Sequence, residues 1–595
     1  MTGGLAYALP GVPLLLALMG FLLPLGARRA AAALGIAGAA AALVASIVLA
    51  VSIHGEVRGG VRLVDVGGLV VRVAYRVDES AALVAVAVGT VALAVQVYSV
   101  AYLHDDDRYP PYAAQVGLFT AAMLLVVVSD DLIVLLVGWE VMGICSYLLI
   151  GHDRRLPEAP AAAVKAFVVT RIGDVGFLLG VALLAVHTGT FDIARVDAAA
   201  RPGAVTTAAA LLLLAGIAGK SAQFPFHTWL PDAMAGPTPI SALIHAATMV
   251  AAGVYVLTRL YPVFTASPAA LTVLGLMAAI TMLLGALAAT AQQDIKRVLA
   301  WSTVSQVAYM GGAVAVGAPA VALFHLLTHA AFKALLFLAA GAVIHAVGSN
   351  LLWRMGGLRR ALPLTFVTMT IGLGALAGIP PLAGFFSKDQ VLAAAWEALL
   401  GKGSGPRWVA VVVLAAGLAT VGITGWYATR LWLRVFFGPE PSTVDAGDPP
   451  ALMRWPLLVL AVPSAGLGFA GFALRLRVDW TAVASLALLG AGTGVAVRWW
   501  RRGLDPVPEL LADGFHLDAV QDVVIVRPVL RLAALVRRTD ESIVDGAVES
   551  TGRGAVRLGG LAAGWHRAGL PRAATAVLGG ALLLGLAALA VVGLR

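Results

Sequence analysis

The sequence predicts an all-α polytopic membrane protein with about 16 transmembrane helices, and three observations lead to that prediction. Of the 595 residues, 60% are hydrophobic and 12% are charged, and the mean hydropathy is +0.92. Apolar runs long enough to cross a bilayer recur along the whole chain. The chain has 35 arginines and only six lysines, yet Lys220, Lys333 and Lys388 lie inside such runs or at their broken ends. Arginine stays protonated, whereas a lysine in a dry environment can lose its proton near neutral pH, so this placement indicates proton exchange inside the membrane.

Each candidate span was recognised by its length, because a helix needs about 20 apolar residues to cross the hydrocarbon core. The sixteen runs cover approximately residues 5-25, 30-53, 79-103, 112-129, 131-151, 162-187, 206-225, 238-262, 270-291, 297-314, 319-346, 362-398, 409-437, 455-475, 481-499 and 573-594. The first run has no basic segment before it and no small-residue cleavage site after it. We therefore interpret it as a membrane helix rather than a signal peptide.

Basic clusters indicate the orientation of these spans. Five clusters fall in loops of the same parity: Arg28/Arg29, Arg154/Arg155/Lys165, Lys296/Arg297, Arg354/Arg359/Arg360 and Arg498/Arg501/Arg502. The positive-inside rule assigns these loops to the cytoplasm. Because the number of spans is even, both termini are then expected to face outward. The 54-78 loop carries four arginines on the opposite side, but acidic residues in the same loop offset them.

Two spans are interrupted in the same way. The seventh reads LLLLAGIAGKSAQFPFHTWLPDAM and the twelfth reads IGLGALAGIPPLAGFFSKDQVL, each broken by Gly and Pro with a lysine nearby. Proline interrupts a helix, and non-helical backbone at membrane depth is tolerated only inside protein or beside a water-filled cavity. Broken helices in corresponding places predict an internal repeat with an ion pathway at its centre. Two ordinary proline kinks are the alternative.

Charged residues in the fifth to seventh spans form the first candidate site. Glu140 is the only ionisable group across nearly all of LIVLLVGWEVMGICSYLLI, and a charge at the bilayer centre is costly. In the next span, Arg171 and Asp174 lie three residues apart on one helical face. We expect them to pair with each other and to tune Glu140, with Lys220 as the counter-charge of Glu140. A static salt bridge that holds helices in register is the alternative.

The eleventh span contains a ladder of basic groups. His325, His329 and Lys333 follow one another at intervals of four residues, which places them on one face of a helix about 6 Å apart per step. Such a ladder is suited to passing protons. A metal site is an alternative, but the sequence supplies no third carboxylate or thiol ligand nearby. Ordinary core histidines are another.

Further polar residues extend this path. His245 lies between the broken seventh span and the ladder, with Ser241 and Thr248 on its face. A polar stripe follows in VLAWSTVSQVAYM, formed by Ser302, Ser305, Gln306 and Tyr309. Hydrogen bonding between helices explains the hydroxyl and amide groups equally well. Asp294 and Lys296 are at a helix mouth, where they would serve as boundary charges.

Composition also excludes several classes of function. The single cysteine, Cys145, excludes an internal disulfide and a cysteine-ligated zinc or iron–sulfur centre within this chain. No phosphate-binding G-x-x-x-x-G-K-[ST] motif is present, and nothing suggests a flavin or NAD site. The net charge of +9 comes mostly from loop arginines, which fits membrane orientation better than nucleic-acid binding.

The C-terminal region differs from the rest. Residues 514-568 are charged and loosely amphipathic, too polar to cross a bilayer, and predict a helix that lies along the membrane surface or a partner. Six glycines weaken helix propensity and predict a break toward its end: Gly546, Gly552, Gly554, Gly559, Gly560 and Gly564. An uncharged final span follows.

These residues and motifs carry a resemblance to a known family. The segments concerned are GWEVMGICSYLLIGH, KAFVVTRIGDVGF, GKSAQFPFHTWLPDAMAGPTPISALIHAATMVAAGVYVL, QQDIKRVLAWSTVSQVAYM, LTHAAFKALLFLAAGAVIHA and GFFSKDQVL. Between about residue 75 and residue 437 the chain resembles the antiporter-like membrane subunits of respiratory complex I, the family of subunit L of bacterial NADH:quinone oxidoreductase.

The resemblance implies an architecture of inverted five-helix repeats, each with a proton half-channel. The expected regions are 1-111 with helices 1-3 and an external loop, 112-262 as the first repeat, 270-437 as the second, 455-499 with helices 14-15, 514-568 as the lateral amphipathic helix, and 573-595 as the anchoring helix. The proton carriers implied are Glu140, Lys220, His325, His329, Lys333 and Lys388, with His245 as an eighth-helix link. Arg171 and Asp174 match the ion pair of the family beside the glutamate.

The resemblance also implies where the chain works. It predicts a multi-pass protein of the bacterial inner membrane, coupled to quinone reduction, with FMN, iron–sulfur clusters and quinone in partner subunits and no cofactor or metal in this chain. The expected partners are the other complex I membrane subunits, above all the antiporter-like neighbours along the lateral helix. Protons are the transported ion, and no nucleic acid is expected.

Other functions remain open from the sequence. A multisubunit Na+/H+ antiporter has a large subunit with a similar core, which usually continues into a further membrane domain. Membrane-bound hydrogenases and bicarbonate-uptake complexes use similar subunits. A scaffold that has lost transport is a third possibility, against which the full set of membrane lysines argues.

Overall fold

The fold comes from a computed structural model of the chain. It describes residues 2–439, 447–474, 479–567 and 569–593. The described residues form two compact units, 1–521 and 522–595. Met1 and the ends of three predicted segments, at residues 475, 568 and 594–595, lie outside the described residues.

The first unit contains most of the helices. It opens with α1 (Thr2–Phe21), α2 (Arg28–Ser52), β1 (Glu56–Val66), β2 (Leu69–Asp78), α3 (Glu79–Tyr102), α4 (Tyr109–Val128), α5 (Leu132–Ile150) and α6 (Glu158–Thr188). It continues with α7 (Ile193–Ala199), α8 (Ala204–Lys220), α9 (Trp229–Asp232), α10 (Thr238–Ala246), α11 (Met249–Arg259) and α12 (Tyr261–Thr265). The remaining helices are α13 (Pro268–Ala291), α14 (Ile295–Ala315), α15 (Pro319–Val347), α16 (Pro363–Ala377), α17 (Ala383–Glu397), α18 (Arg407–Phe436), α19 (Ala451–Gly466), α20 (Trp480–Arg501), α21 (Glu509–Ala512) and α22 (Leu517–Gln521).

The prediction of a mostly helical, polytopic protein is confirmed. Among the described residues, 13 helical stretches are long and apolar enough to cross a membrane, with α10 and α11 counted together as one. The shorter apolar helices α8 and α16 belong to the two interrupted spans. Acidic residues begin several helices, because a side-chain carboxylate accepts the free backbone N–H groups of the first turn. Asp78, Asp131 and Asp294 cap α3, α5 and α14 in this way.

The 54-78 loop is a β-hairpin, which corrects the all-α prediction locally. Strands β1 and β2 pair antiparallel, with Glu56 opposite Asp78. Gly67 and Gly68 both have positive φ, of 62° and 90°, and form the turn between them. Two consecutive residues with positive φ suit the tight turn of a hairpin, and glycine adopts that conformation without steric cost.

Both predicted helix breaks are present. Helix α8 ends at Lys220, and an irregular segment leads through α9 to α10. The twelfth span is divided into α16 and α17 by residues 378–382, where Gly378 has φ of 87° and two prolines follow. A third break was not predicted: the eighth span divides between α10 and α11, at Ala247 and Thr248.

Helix α15 lies at the centre of the second half of the unit. It packs against α3, α10, α14, α16, α17 and α19. From Thr328 to Val343, every residue of α15 is buried, and so is His325 one turn earlier. The histidine and lysine ladder of the eleventh span is therefore enclosed by other helices.

The second unit is helical. It contains α23 (Arg527–Thr539), α24 (Asp545–Arg567) and α25 (Leu570–Gly593), with π-helical segments Asp522–Val526 and Asp540–Val544. The predicted break among the C-terminal glycines is wrong for α24, which runs continuously from Asp545 to Arg567 through all six of them. A glycine costs a helix roughly 1 kcal/mol, and the structure shows no break at any of these positions.

Candidate functional site

Helices α5, α6 and α8 bring together a chain of four charged groups. Arg171 forms an ion pair with Glu140, and its Nη2 also donates to the Glu140 carbonyl at 3.2 Å. The Nε of Arg171 lies 3.8 Å from Asp174 Oδ2, and Lys220 Nζ lies 3.3 Å from the same oxygen. Charges therefore alternate in sign from Glu140 to Lys220.

The partner of Lys220 differs from the one expected. Within the described residues, Lys220 pairs with Asp174, and Glu140 pairs with Arg171. The direct pairing of Lys220 with Glu140 is therefore wrong in this conformation. The sequence places Arg171 and Asp174 on one helical face, but it does not show that α8 packs so closely against α6.

A tryptophan and a glycine hold this chain of charges in place. Trp139 donates from Nε1 to Asp174 Oδ1 at 2.6 Å, and Lys220 Nζ lies 5.6 Å from the centre of its ring. At Gly143, an added Cβ would lie 2.5 Å from Arg171 Nη2 and 2.6 Å from Lys220 Nζ. A side chain at this position would displace the ends of the two cationic side chains, a constraint that the sequence analysis missed.

Cys145, the single cysteine, lies on α5 close in sequence to this charged chain. Its thiol is free and the residue is fully buried. Among the described residues, no group of three or more His, Cys, Asp or Glu side chains is arranged to hold a metal ion.

His245 lies at the unpredicted break between α10 and α11. It is fully buried, its ring packs 4.6 Å from that of Phe337, and neither ring nitrogen has a hydrogen-bond partner in the described part of the chain. Thr248 donates to the Leu243 carbonyl at 2.6 Å, which is one reason the helix does not continue. An imidazole of this kind has both nitrogens free to exchange protons.

Lys333 lies on α15 with neutral partners. Its Nζ donates to the Leu299 carbonyl at 3.0 Å and to the Ser302 hydroxyl, both on α14. The residue is fully buried. The ladder continues from Lys333 toward the N-terminus of α15, where the His329 and His325 ring centres are 6.2 Å apart.

His325 connects the ladder to α17. Its Nδ1 shares a hydrogen bond of 2.9 Å with the Ser387 hydroxyl, to which Thr328 also donates at 2.7 Å. Ser387 immediately precedes Lys388 in the chain. This serine was not predicted, although its position beside the lysine was a usable signal.

Lys388 lies just beyond the second break. Its Nζ donates to the Leu376 carbonyl near the end of α16, a group that the break leaves without a helical partner. The Nζ also lies 5.9 Å from the centre of the Tyr309 ring. The next residue, Asp389, is buried and accepts a hydrogen bond of 2.9 Å from Thr481 on α20. The sequence analysis did not single out Asp389 as a buried carboxylate.

The polar stripe on α14 divides into two kinds of contact. Ser305 and Tyr309 donate to backbone carbonyls of α13 and α18, which is helix-to-helix hydrogen bonding. Ser302 instead accepts from Lys333, and both amide atoms of Gln306 are buried without a partner in the described residues. Lys296 is buried rather than a surface charge, and it donates to the Met234 and Gly236 carbonyls at 2.5 and 2.6 Å.

The fold and this row of buried ionisable groups define a class: a polytopic membrane protein with an antiporter-like core. Residues 129–416 match the family described as NADH:quinone oxidoreductase/Mrp antiporter, TM, and residues 63–113 match that described as NADH-Ubiquinone oxidoreductase (complex I), chain 5 N-terminus. The chain is 40% identical over 524 residues to NADH-quinone oxidoreductase subunit L of Mycobacterium tuberculosis, covering 82% of this chain and 81% of that one. It is 36% identical over 579 residues to NAD(P)H-quinone oxidoreductase chain 5 of Synechocystis, covering 82% and 83%. The chain belongs to this family of subunit L and chain 5 proteins.

Two solved structures have a similar fold. One is a chain of the Mrp complex from Dietzia sp. DQ12-45-1b, with a TM-score of 0.70 and 29% identity; the match covers 100% of this chain and 63% of that chain. The other is a chain of the membrane-bound sulfane sulfur reductase, an archaeal respiratory membrane complex, with a TM-score of 0.67 and 24% identity, covering 83% and 99%. The second similarity concerns the fold alone.

Proposed function

We propose that this chain is a proton-translocating membrane subunit of an NADH-quinone oxidoreductase of the bacterial inner membrane. The observation that carries the proposal is a row of ionisable side chains, buried except for the partly exposed Glu140 and Arg171, that runs from α5 to α17 past two broken helices. Its members are Glu140, Arg171, Asp174, Lys220, His245, His325, His329, Lys333 and Lys388. A protein pays several kcal/mol to keep such groups at membrane depth, so they are expected to have a function.

In this proposal the first half of the row loads protons. Glu140 and Lys220 are coupled through Arg171 and Asp174, because the four charges form one alternating chain. A proton that joins Glu140 frees Arg171 to move toward Asp174, which weakens the hold of Asp174 on Lys220. Lys220 is then able to pass its own proton onward.

The second half conducts and releases protons. His245, His329, His325 and Lys333 pass protons laterally, and Lys388 releases them toward the outward side. The hydrogen bond between His325 and Ser387 supports this order, since it joins the ladder on α15 to the helix that carries Lys388. Quinone reduction in other subunits supplies the energy, and FMN, iron–sulfur clusters and quinone belong to those partners.

The finer architecture is part of the proposal. Sixteen spans result when α8, α14 and the α16–α17 pair are added to the 13 apolar stretches. Residues 112-262 and 270-437 are proposed as the inverted repeats, 514-568 as a lateral helix and 573-595 as an anchor. The π-helical segments and α23 and α24 support the lateral helix, because they form an almost unbroken helical stretch of exposed residues.

A neighbouring membrane subunit is proposed to cover α5 and α6. The side chains of Glu140 and Arg171 are 28% and 27% exposed, on a surface where Val137 and Ile144 are also exposed. An ion pair that faces lipid has no water to solvate it, so a polar protein surface is the expected partner.

The direct test is purification of the native complex that contains this chain. Copurifying flavin and iron–sulfur centres, together with NADH-driven acidification in inverted vesicles, would support the proposal. A stable complex without redox centres that exchanges Na+ for H+ would instead support the second candidate, a multisubunit Na+/H+ antiporter. The similarity to the chain of the Mrp complex is the observation that favours this alternative.

A further inference from the structure

A second group of buried charges lies apart from the row described above. It lies among the loops that connect the membrane helices on one side, the side opposite the loops that carry the basic clusters. Its five members are Arg76 and Asp78 of β2, Asp130 between α4 and α5, Asp197 of α7, and Arg259 at the end of α11. Arg76, Asp130 and Arg259 are 8%, 4% and 6% exposed, so most of the group is shielded from solvent.

The contacts of Arg76 define the centre of this charge cluster. Arg76 Nε lies 3.5 Å from Asp130 Oδ1, and Arg76 Nη2 lies 3.5 Å from Asp197 Oδ2. Arg259 faces the other way: its Nη1 lies 3.4 Å from Asp78 Oδ2, while its Nη2 donates to the Arg76 carbonyl at 2.6 Å. Each arginine is thus shared between a strand of the hairpin and the membrane helices.

The cluster has one carboxylate more than it has guanidinium groups. Three aspartates face two arginines, so these five groups carry a net charge of −1 when all are ionised, with the Asp78 side chain 39% exposed to solvent. A further cation, Arg58, acts on Asp130 against the pKa-raising effect of burial. Arg58 is paired with Glu56 on β1, and the carboxylates of Asp131 and Asp192 accept hydrogen bonds from backbone N–H groups.

Two carboxylate oxygens in the cluster lack hydrogen bonds. Asp130 Oδ1 and Asp197 Oδ1 are buried without a hydrogen-bond partner in the described residues. An ionised carboxylate in such a position is costly, whereas a proton removes the charge and adds a donor. Burial raises the pKa of Asp197 to about 6, although Arg76 and Arg259 act in the opposite direction. Burial also raises the pKa of Asp130, again against Arg76 and Arg259.

We propose that this cluster is a binding site for one exchangeable proton, shared between Asp130 and Asp197. Proton binding converts one carboxylate to a carboxylic acid and changes the net charge of the cluster from −1 to zero. The proton comes from the aqueous phase on the side of the β-hairpin. The site is independent of the proposed transport row, and it makes the contact between the hairpin and α7 sensitive to the pH on that side.

The site is testable by infrared difference spectroscopy on the purified native complex. Acidification through about pH 6 is expected to produce a carboxylic acid C=O band in the wild type. Asp197→Asn and Asp130→Asn should each remove that band, because either change leaves two carboxylates opposite two guanidinium groups. Asp105→Asn is the matched control, since Asp105 is 86% exposed and far from the cluster in sequence, and it should leave the band unchanged.

Two outcomes would overturn the proposal. One is a wild-type complex with no carboxyl group that titrates near pH 6. The other is a band of wild-type intensity in either aspartate variant that assembles. If one of the two variants does not fold, the other variant still provides the test.

Discussion

At the end of α8, Lys220 faces the carboxylate of Asp174, whereas beyond the break after α16, Lys388 donates to the Leu376 carbonyl and lies near the Tyr309 ring, both neutral groups. Lys333 resembles Lys388, since its partners are a carbonyl and a hydroxyl. All three lysines are at most 3% exposed. In the first half of the row, loss of a proton from lysine removes the nearer of two cations beside a buried carboxylate and leaves Arg171 Nε 3.8 Å away, but in the second half it leaves only neutral acceptors among the described residues. The first lysine is therefore suited to gating, and the other two to passing a proton on.

The largest effect is expected from Lys388→Met, which removes the last protonatable group of the row. Proton pumping per electron in vesicles should fall, while assembly of the complex is retained, because Lys388 bonds a backbone carbonyl and forms no ion pair within the described residues. Lys402→Met is the matched control, because the Lys402 side chain is 65% exposed and lies in the same chain region. An unchanged ratio of protons to electrons in Lys388→Met would refute its role in release.

The free energy of unfolding of lysine variants should distinguish the two halves of the row. Lys220→Met removes the nearer of the two cations beside buried Asp174 and leaves Arg171 Nε at 3.8 Å, so it should lower the free energy of unfolding by about 3 kcal/mol, the low end of the cost of breaking a buried ion pair. Lys333→Met leaves only a hydroxyl and a carbonyl without a donor and should cost about 1–3 kcal/mol. Thermal unfolding of the purified complex would compare them, and equal losses would contradict the electrostatic difference.

Lys220→Arg separates pairing from proton release at the same position. Arginine keeps the positive charge beside Asp174 but does not release a proton, so stability should be nearly retained while pumping is lost. Full pumping in this variant would support a static salt bridge.

A smaller effect is expected from Gly143→Ala. The added Cβ would meet both Arg171 Nη2 and Lys220 Nζ closer than 3 Å, so the ends of these two flexible side chains must shift, at a cost of about 1 kcal/mol, the low end for overpacking. Gly490→Ala on α20 is the control, because nothing lies within 4 Å of its new Cβ. That control should gain roughly 1 kcal/mol from helix propensity. A harmless Gly143→Ala would show that the charged chain is loosely packed.

The smallest effect is expected from Tyr309→Phe. It removes the hydroxyl that donates to the Gly417 carbonyl at 2.6 Å but keeps the ring beside Lys388, so stability should fall by about 0.5–1.5 kcal/mol. Pumping should be unchanged if the hydroxyl serves only to join helices. A drop in pumping at constant stability would place it in the proton path.

Local chemistry in the sequence was enough to predict much of the site. The breaks after Lys220 and after Ala377 follow from Gly and Pro, and the spacing of His325, His329 and Lys333 places them on one helical face. These features depend on backbone geometry within one segment, which is why a single chain of letters reveals them.

Contacts between segments were harder to predict. The sequence does not reveal that α8 packs against α6. For that reason Glu140 was predicted as the partner of Lys220, whereas the structure pairs Lys220 with Asp174. The break at Ala247 and Thr248 has neither glycine nor proline to mark it. The hairpin was predictable, because alternating apolar residues flank Gly67 and Gly68, but the run was interpreted as a loop.

The single cysteine gives the chain a practical property. Cys145 is fully buried on α5, so thiol reagents added from either side have no exposed native target in this chain. A cysteine introduced at an exposed hairpin position such as Leu63, which is 66% exposed, would be the one exposed thiol of this chain. Membrane-impermeant maleimides, followed by isolation of this chain, would then report which compartment the hairpin faces, with Cys145 left in place.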